Sequence, residues 1–159
     1  MKARKTWREK MNNPNLPKVV PVLPQMRKRY GQGTMLVPSP KEVDAFMRTV
    51  AKGQVATLTQ IREFLAARYA VDVTCPLTTG IFVHIAAEVA EEDAMAGKRR
   101  ITPYWRIVKD DGSLNPKFPG GVARQAERLR AEGHRILPGS ARQPPRVVLP
   151  GDGRRPRGT

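Results

Sequence analysis

The chain has 159 residues, 40% of them hydrophobic, with 15 Pro and 13 Gly, which leaves room for one modest domain plus tails and not for two ordinary cores. Its formal net charge is +15, from 29 basic and 14 acidic side chains, and such a surplus favours a polyanionic partner. One cysteine, Cys75, and two histidines, His84 and His134, exclude an internal disulfide and a Cys-rich metal spacing, and no stretch approaches the length of a membrane span.

The charge is unevenly placed. Residues 1–30 hold nine Lys or Arg against one acid, Glu9, and residues 139–159 hold five Arg against Asp152. Residues 31–138 hold fifteen basic and twelve acidic side chains. The ends therefore read as basic arms, which either contact nucleic acid or only aid solubility. The basic N-terminus lacks a following apolar run of signal-peptide length, and a reducing cytoplasm (the nucleoid, if the source is bacterial) is the expected compartment.

In chain order, residues 1–37 read as a basic, Pro-rich extended arm. Pro14, Pro17, Pro21 and Pro24 recur every three or four positions and oppose helix. Val19-Val20 and Val22-Leu23 suit an extended strap, and Met35-Leu36-Val37 a short strand. The first helix is predicted from Ser39, with Pro40 at its first position, Glu42 completing a capping box, and Val43, Phe46, Met47 and Val50 on one face. Thr57 with Gln60 predicts a second helix, with Ile61, Phe64 and Leu65 buried and an end near Tyr69. A third opens at Thr74-Cys75-Pro76. Its predicted inner face is Ile81, Ile85, Ala86 and Val89, with Glu88, Glu91, Glu92 and Asp93 as a solvated acidic face.

Ile101 to Val108 is predicted to be a strand, followed by a turn at Asp110-Asp111-Gly112. A last helix spans Val122 to Ala131, and Arg135–Leu137 could pair with Arg146–Leu149. This gives a mainly α fold with a small β wing, a winged helix-turn-helix. Its domain is 38–138, and 139–159 is a basic tail expected to be disordered. In such folds the second helix of the pair enters a DNA groove; here that is the helix opening at Pro76.

Several of these stretches resemble one family. Gly53-Gln54-Val55-Ala56-Thr57 with Gln60-Ile61, then Pro103-Tyr104-Trp105-Arg106-Ile107-Val108, Asp111-Gly112-Ser113-Leu114, Gly120-Gly121 and Glu132-Gly133-His134 follow the order and near spacing of the DNA-binding domain of the alkylguanine–DNA alkyltransferases. The resemblance spans roughly residues 40–137, without the N-terminal domain of full-length members. It implies DNA binding. The family's reactive cysteine, whose thiolate attacks the alkyl carbon, is replaced by Tyr104, and its neighbouring histidine by Trp105. Arg106 and the acid Glu132 are kept. A phenol is mostly protonated at neutral pH, so transfer to Tyr104 is not expected. The intercalating arginine aligns with Gly80, and the phosphate-rotating tyrosine falls near Leu58. The resemblance is nearest to the alkyltransferase-like branch, which lacks the cysteine yet binds alkylated guanine.

The candidate DNA contacts are therefore Thr78, Thr79, Gly80 and Arg106, and the candidate base pocket is Tyr104, Trp105 and Glu132. Neighbours on a strand face opposite ways, which would turn Tyr104 toward the pocket. Each residue also has a structural reading: Thr78 and Thr79 as local backbone caps, Gly80 as a packing glycine, Arg106 as a strap on the following loop, Cys75 as a buried or capping residue, His84 as a half-buried histidine, and His134 as a C-terminal cap. The expected function is a non-catalytic DNA-binding protein that senses alkylated or damaged bases, with DNA and DNA-repair proteins as partners and no cofactor or metal. Two alternatives stand beside it: a protein-interaction module on a winged-helix fold, and an alkyltransferase using another nucleophile such as Cys75.

Overall fold

In the computed structural model, which describes residues 4–149, the N-terminal segment is folded onto the domain and is not an extended arm. Thr6 caps a short helix, α1 (Trp7–Met11), by accepting from the Glu9 amide. Met11 is buried and Trp7 packs on the main core. Arg8 pairs with Asp93, and the Trp7 ring meets His84 edge-on at 5.3 Å. Strand β1 (Lys18–Pro21) then pairs antiparallel with β2 (Thr34–Val37), with Val20 opposite Met35. Between them lie a 3-10 turn (Pro24–Met26) and a single helical turn, α2 (Arg27–Tyr30). Proline does not prevent this hairpin because Pro21 ends β1, which is an edge strand and can spare an N–H.

Ser39 caps α3 (Pro40–Met47) by accepting from the Glu42 amide at 3.2 Å, as its sequence predicts. Strand β3 (Ala56–Thr57) leads into α4 (Leu58–Tyr69), whose capping box is complete: Thr57 accepts from the Gln60 amide, and Gln60 from the Thr57 amide at 2.8 Å. Replacing Thr57 by alanine removes half of that box and should cost about 1 kcal/mol, read from urea unfolding. A loss below a few tenths would show that the helix start is held by packing alone. Ile61 and Leu65 are buried, but Phe64 is 48% exposed and instead packs on Phe46, with centroids 5.1 Å apart.

Strand β4 (Val73–Thr74) joins β2 in parallel and leads directly into α5 (Pro76–Met95), 20 residues long and about 30 Å from end to end. The buried side of α5 is Phe82, Val83, Ile85, Ala86, Ala87, Val89 and Ala90, while Ile81 is 48% exposed. Nearly every residue from 81 to 90 is apolar, so spacing alone could not say which of two adjacent stripes faces inward. The acidic face is also corrected. Asp93 is 6% exposed and held by Arg8 and Lys98, and Glu91 pairs with Arg128 at 2.9 Å. Burial disfavours the Asp93 carboxylate, but those two cations and their hydrogen bonds hold its pKa below the usual range.

Beyond α5 the chain turns back along it. The predicted Ile101–Val108 strand is mostly absent: Tyr104–Arg106 form a 3-10 turn, and only β5 (Ile107–Val108) is extended, parallel to β3. Pro103 has no N–H to give a ladder, and the turn forms directly after it. At the tight turn that follows, Lys109 N–H bonds Ser113 O at 3.0 Å, with Gly112 at φ +87°. A Cβ at Gly112 would lie 2.6 Å from the Val147 carbonyl, so this position needs glycine twice over. Helix α6 (Gly121–Ala131) buries Gln125, Ala126 and Leu129. Strands β6 (Ile136–Leu137) and β7 (Arg146–Val147) pair antiparallel, and Val147 is buried against Val108, Leu114 and Leu129. The packed domain thus extends through β7 and does not end at 138. The rest of the expected tail, 150–159, lies outside the described residues.

The result is mainly helical with small sheets, six α-helices among the described residues. Two core clusters meet at Trp105, one built around α3, α4 and α5 and the other around α6. No helix among the described residues is long and apolar enough to cross a membrane.

Candidate functional site

Tyr104 and Trp105, the residues expected to line a base pocket, are packed into the fold. Tyr104 is 1% exposed. Its ring meets Trp105 at 5.4 Å and Phe118 at 5.2 Å, both edge-on, and its hydroxyl donates to Glu91 Oε1 at 2.6 Å. Burial, then the bond to Glu91, raises the phenol far above its ordinary range, against the opposing charges of Arg128 and Arg124. A 3-10 turn does not alternate its side chains as a strand does, so the argument that turned Tyr104 outward fails with the strand. Trp105 is half-buried, with the Arg128 guanidinium 4.4 Å from its ring centre. Tyr104 is therefore not free to stack on a base, and Trp105 carries the Arg128 guanidinium against its ring.

Arg106 and Glu132 come together, but as a structural pair. Arg106 Nε and Nη2 bond the Glu132 carboxylate at 3.0 and 2.7 Å, and Nη1 bonds Val50 O at 2.7 Å. The two side chains are 14% and 9% exposed. Burial alone would raise the Glu132 pKa. Bonds from Arg106, a contact from the Trp105 indole that lacks full hydrogen-bond geometry, and the Arg106 and His134 charges bring it below the usual value. Three of the five Arg106 guanidinium N–H groups are thus committed within the protein.

On α5, Thr79 is fully buried and its hydroxyl donates to Cys75 O at 2.7 Å, an i−4 bond within its own helix that leaves the side chain inaccessible to a ligand. Thr78 is half-buried and reaches the same carbonyl at 3.4 Å. Cys75 is 6% exposed and packs with Val22 and Met35. Gly80 is not a packing glycine: a Cβ there would meet nothing within 4 Å. Leu58 packs on the core.

The open surface on this helix includes one of the predicted contacts, Gly80, but not Thr78 or Thr79. A groove of about 410 Å³ runs between the N-terminal half of α5 (Pro76, Leu77, Gly80, Ile81, His84) and the returning loop (Lys109, Asn115, Pro116, Lys117). Leu77 is 70% exposed and Ile81 48%. Lys109 and Lys117 are exposed and form no ion pair among the described residues, whereas Arg8, Arg48, Arg62, Lys98, Arg106, Arg124 and Arg128 all do. The two lysines, Leu77 and Ile81 were missed in the sequence. They belong to none of the sequence motifs, and only the exposure that the fold gives them marks them out. Among the described residues no group of three or more His, Cys, Asp or Glu gathers as a metal site would require.

No protein-family model matches this chain, and neither the curated proteins nor the solved structures contain a significant match to it.

Proposed function

We propose that the chain is a non-catalytic DNA-binding protein built on a winged helix-turn-helix, with α4 and α5 as the helix pair, α5 as the recognition helix and the 109–117 loop as the wing. The observation that carries this reading is the groove on α5. It joins a solvent-facing helix start, an unobstructed Gly80 and two lysines without acidic partners. Lysines of this kind bind phosphate as point charges, and a bare glycine lets a backbone approach closely. The hairpin carrying the exposed Arg27, Lys28 and Arg29 is joined through β2 to β4, the strand that leads into α5, which brings further positive charge near that helix. The alkyltransferase-like order of motifs supports the same helix as the DNA-facing one, and a role in repair rests on that resemblance alone.

The test is binding of the full chain to a duplex containing alkylguanine and to the same duplex containing guanine, at two salt concentrations, beside the variant K109Q/K117Q. Wild type should bind both duplexes equally, because Tyr104 offers no base pocket. Its affinity should fall steeply with salt as counterions are released. The double variant should lose affinity on both and flatten the salt slope by about 2. No binding at low salt would overturn the reading. It would favour a protein-interaction module, for which exposed Leu77 and Ile81 would be the contact residues.

A further inference from the structure

A second basic cavity is lined by the segment that follows the C-terminal end of α5, an end about 22 Å along the helix axis from Gly80. It is an open pocket of about 390 Å³ lined by Arg48, Arg99, Arg100, Ile101, Pro103, Trp105 and Arg106. Four arginines converge on it. Only two carboxylates stand against them, Asp44 on Arg48 and Glu132 on Arg106. Arg99 and Arg100 are exposed and have no acidic partner among the described residues.

The pocket is also held in shape. Asp44 binds Arg48 through Nε alone, at 2.9 Å, so the terminal nitrogens are not consumed by that pair. The other oxygen of Asp44 accepts from the Thr102 hydroxyl at 2.6 Å, which pins the segment carrying Arg99 and Arg100 against α3. Arg106 is fixed by Glu132 and Val50, and Trp105 and Pro103 form a stiff wall. Like charges held together in this way repel one another unless an anion sits among them. A planar guanidinium with free N–H groups matches a tetrahedral oxyanion better than any other side chain does.

We propose that this pocket is a phosphate-binding site, formed by Arg48, Arg99 and Arg100, and separate from the groove at the start of α5. It does not depend on the DNA reading, because a free phosphorylated molecule and a nucleic-acid backbone present the same group.

Calorimetric titration of the full chain with inorganic pyrophosphate and with a duplex tests it, beside R99Q/R100Q and K109Q/K117Q. Both arginines are exposed, so R99Q/R100Q should unfold at the wild-type midpoint. Pyrophosphate should bind wild type and K109Q/K117Q alike, and R99Q/R100Q about tenfold more weakly or worse. If R99Q/R100Q also lowers duplex affinity and the salt slope, the phosphate comes from a nucleic-acid backbone. If only pyrophosphate binding falls, the site takes a free phosphorylated ligand. Undetectable pyrophosphate binding by wild type, or equal binding by R99Q/R100Q, would overturn the proposal. Either result leaves the groove reading to stand or fall on K109Q/K117Q.

Discussion

Replacing Glu132 by alanine should destabilise the fold by about 3–5 kcal/mol, on the order of 10 °C in the unfolding midpoint. Among the described residues the carboxylate is the only acid paired with the Arg106 guanidinium, with bonds from both Nε and Nη2. Without it a cation that is 14% exposed stays in place with no counter-charge. Removing both charges should be milder. In R106M/E132L no charge is stranded, and the remaining cost is the Val50 carbonyl, which loses its 2.7 Å donor, at about 1 kcal/mol. An E132A loss below about 1 kcal/mol would show that water reaches the pair and screens it. The same pair sets a pH dependence. The Glu132 pKa is lowered in the folded state, so its stabilising contribution is complete above the ordinary glutamate value of 4.5 and is lost as pH falls through the lower folded value. In R106M the carboxylate loses its main stabilising partner, and this acid limb should move to higher pH.

The helices were legible in the sequence because their starts carry local chemistry. Ser39 with Glu42 and Thr57 with Gln60 act within one turn, and no distant part of the chain can change that logic. Which face of α5 is buried was not legible. From Ile81 to Ala90 the apolar residues are too dense for a period of 3.6 to select one stripe, and the choice is made by α1 and α3 packing on it. Helix α1 itself was hidden by composition. Prolines and basic residues dominate the first 30 positions, and nothing local shows that Trp7 finds His84 or that Arg8 finds Asp93, 85 residues away.

The candidate site was legible in its neighbourhood and not in its residues. Tyr104, Trp105 and Arg106 share one turn, and Glu132 reaches it through Arg106. Sequence order could not show that their polar atoms satisfy one another. Whether an arginine is free for a ligand depends on the acids that the fold delivers to it, and Glu132 is 26 residues further on. The same accounting freed Lys109 and Lys117, which carry no motif at all. Their proposed role rests on what lies opposite them, the exposed start of α5.

Tyr104 is the residue where resemblance and structure diverge most, and three substitutions separate them. Tyr104→Ala should cost about 3–5 kcal/mol, because a fully enclosed ring between Trp105 and Phe118 leaves a cavity that its neighbours cannot fill. Tyr104→Phe keeps the ring and removes one bond to a carboxylate, about 1.5 kcal/mol, since Glu91 retains Arg128 at 2.9 Å. Tyr104→Cys places a thiol where the resemblance aligns the alkyltransferase nucleophile, yet it should not confer alkyl transfer. The thiol would sit where the phenol is 1% exposed, among apolar rings that disfavour the thiolate, with Trp105 where a histidine would be needed to take its proton. Incubation of the Tyr104→Cys protein with an alkylguanine duplex, followed by mass spectrometry of the intact chain, should give an unchanged mass. A single added alkyl group would mean that the turn opens far enough to admit a flipped base, and that the aromatic pair fills a working pocket and does not replace it.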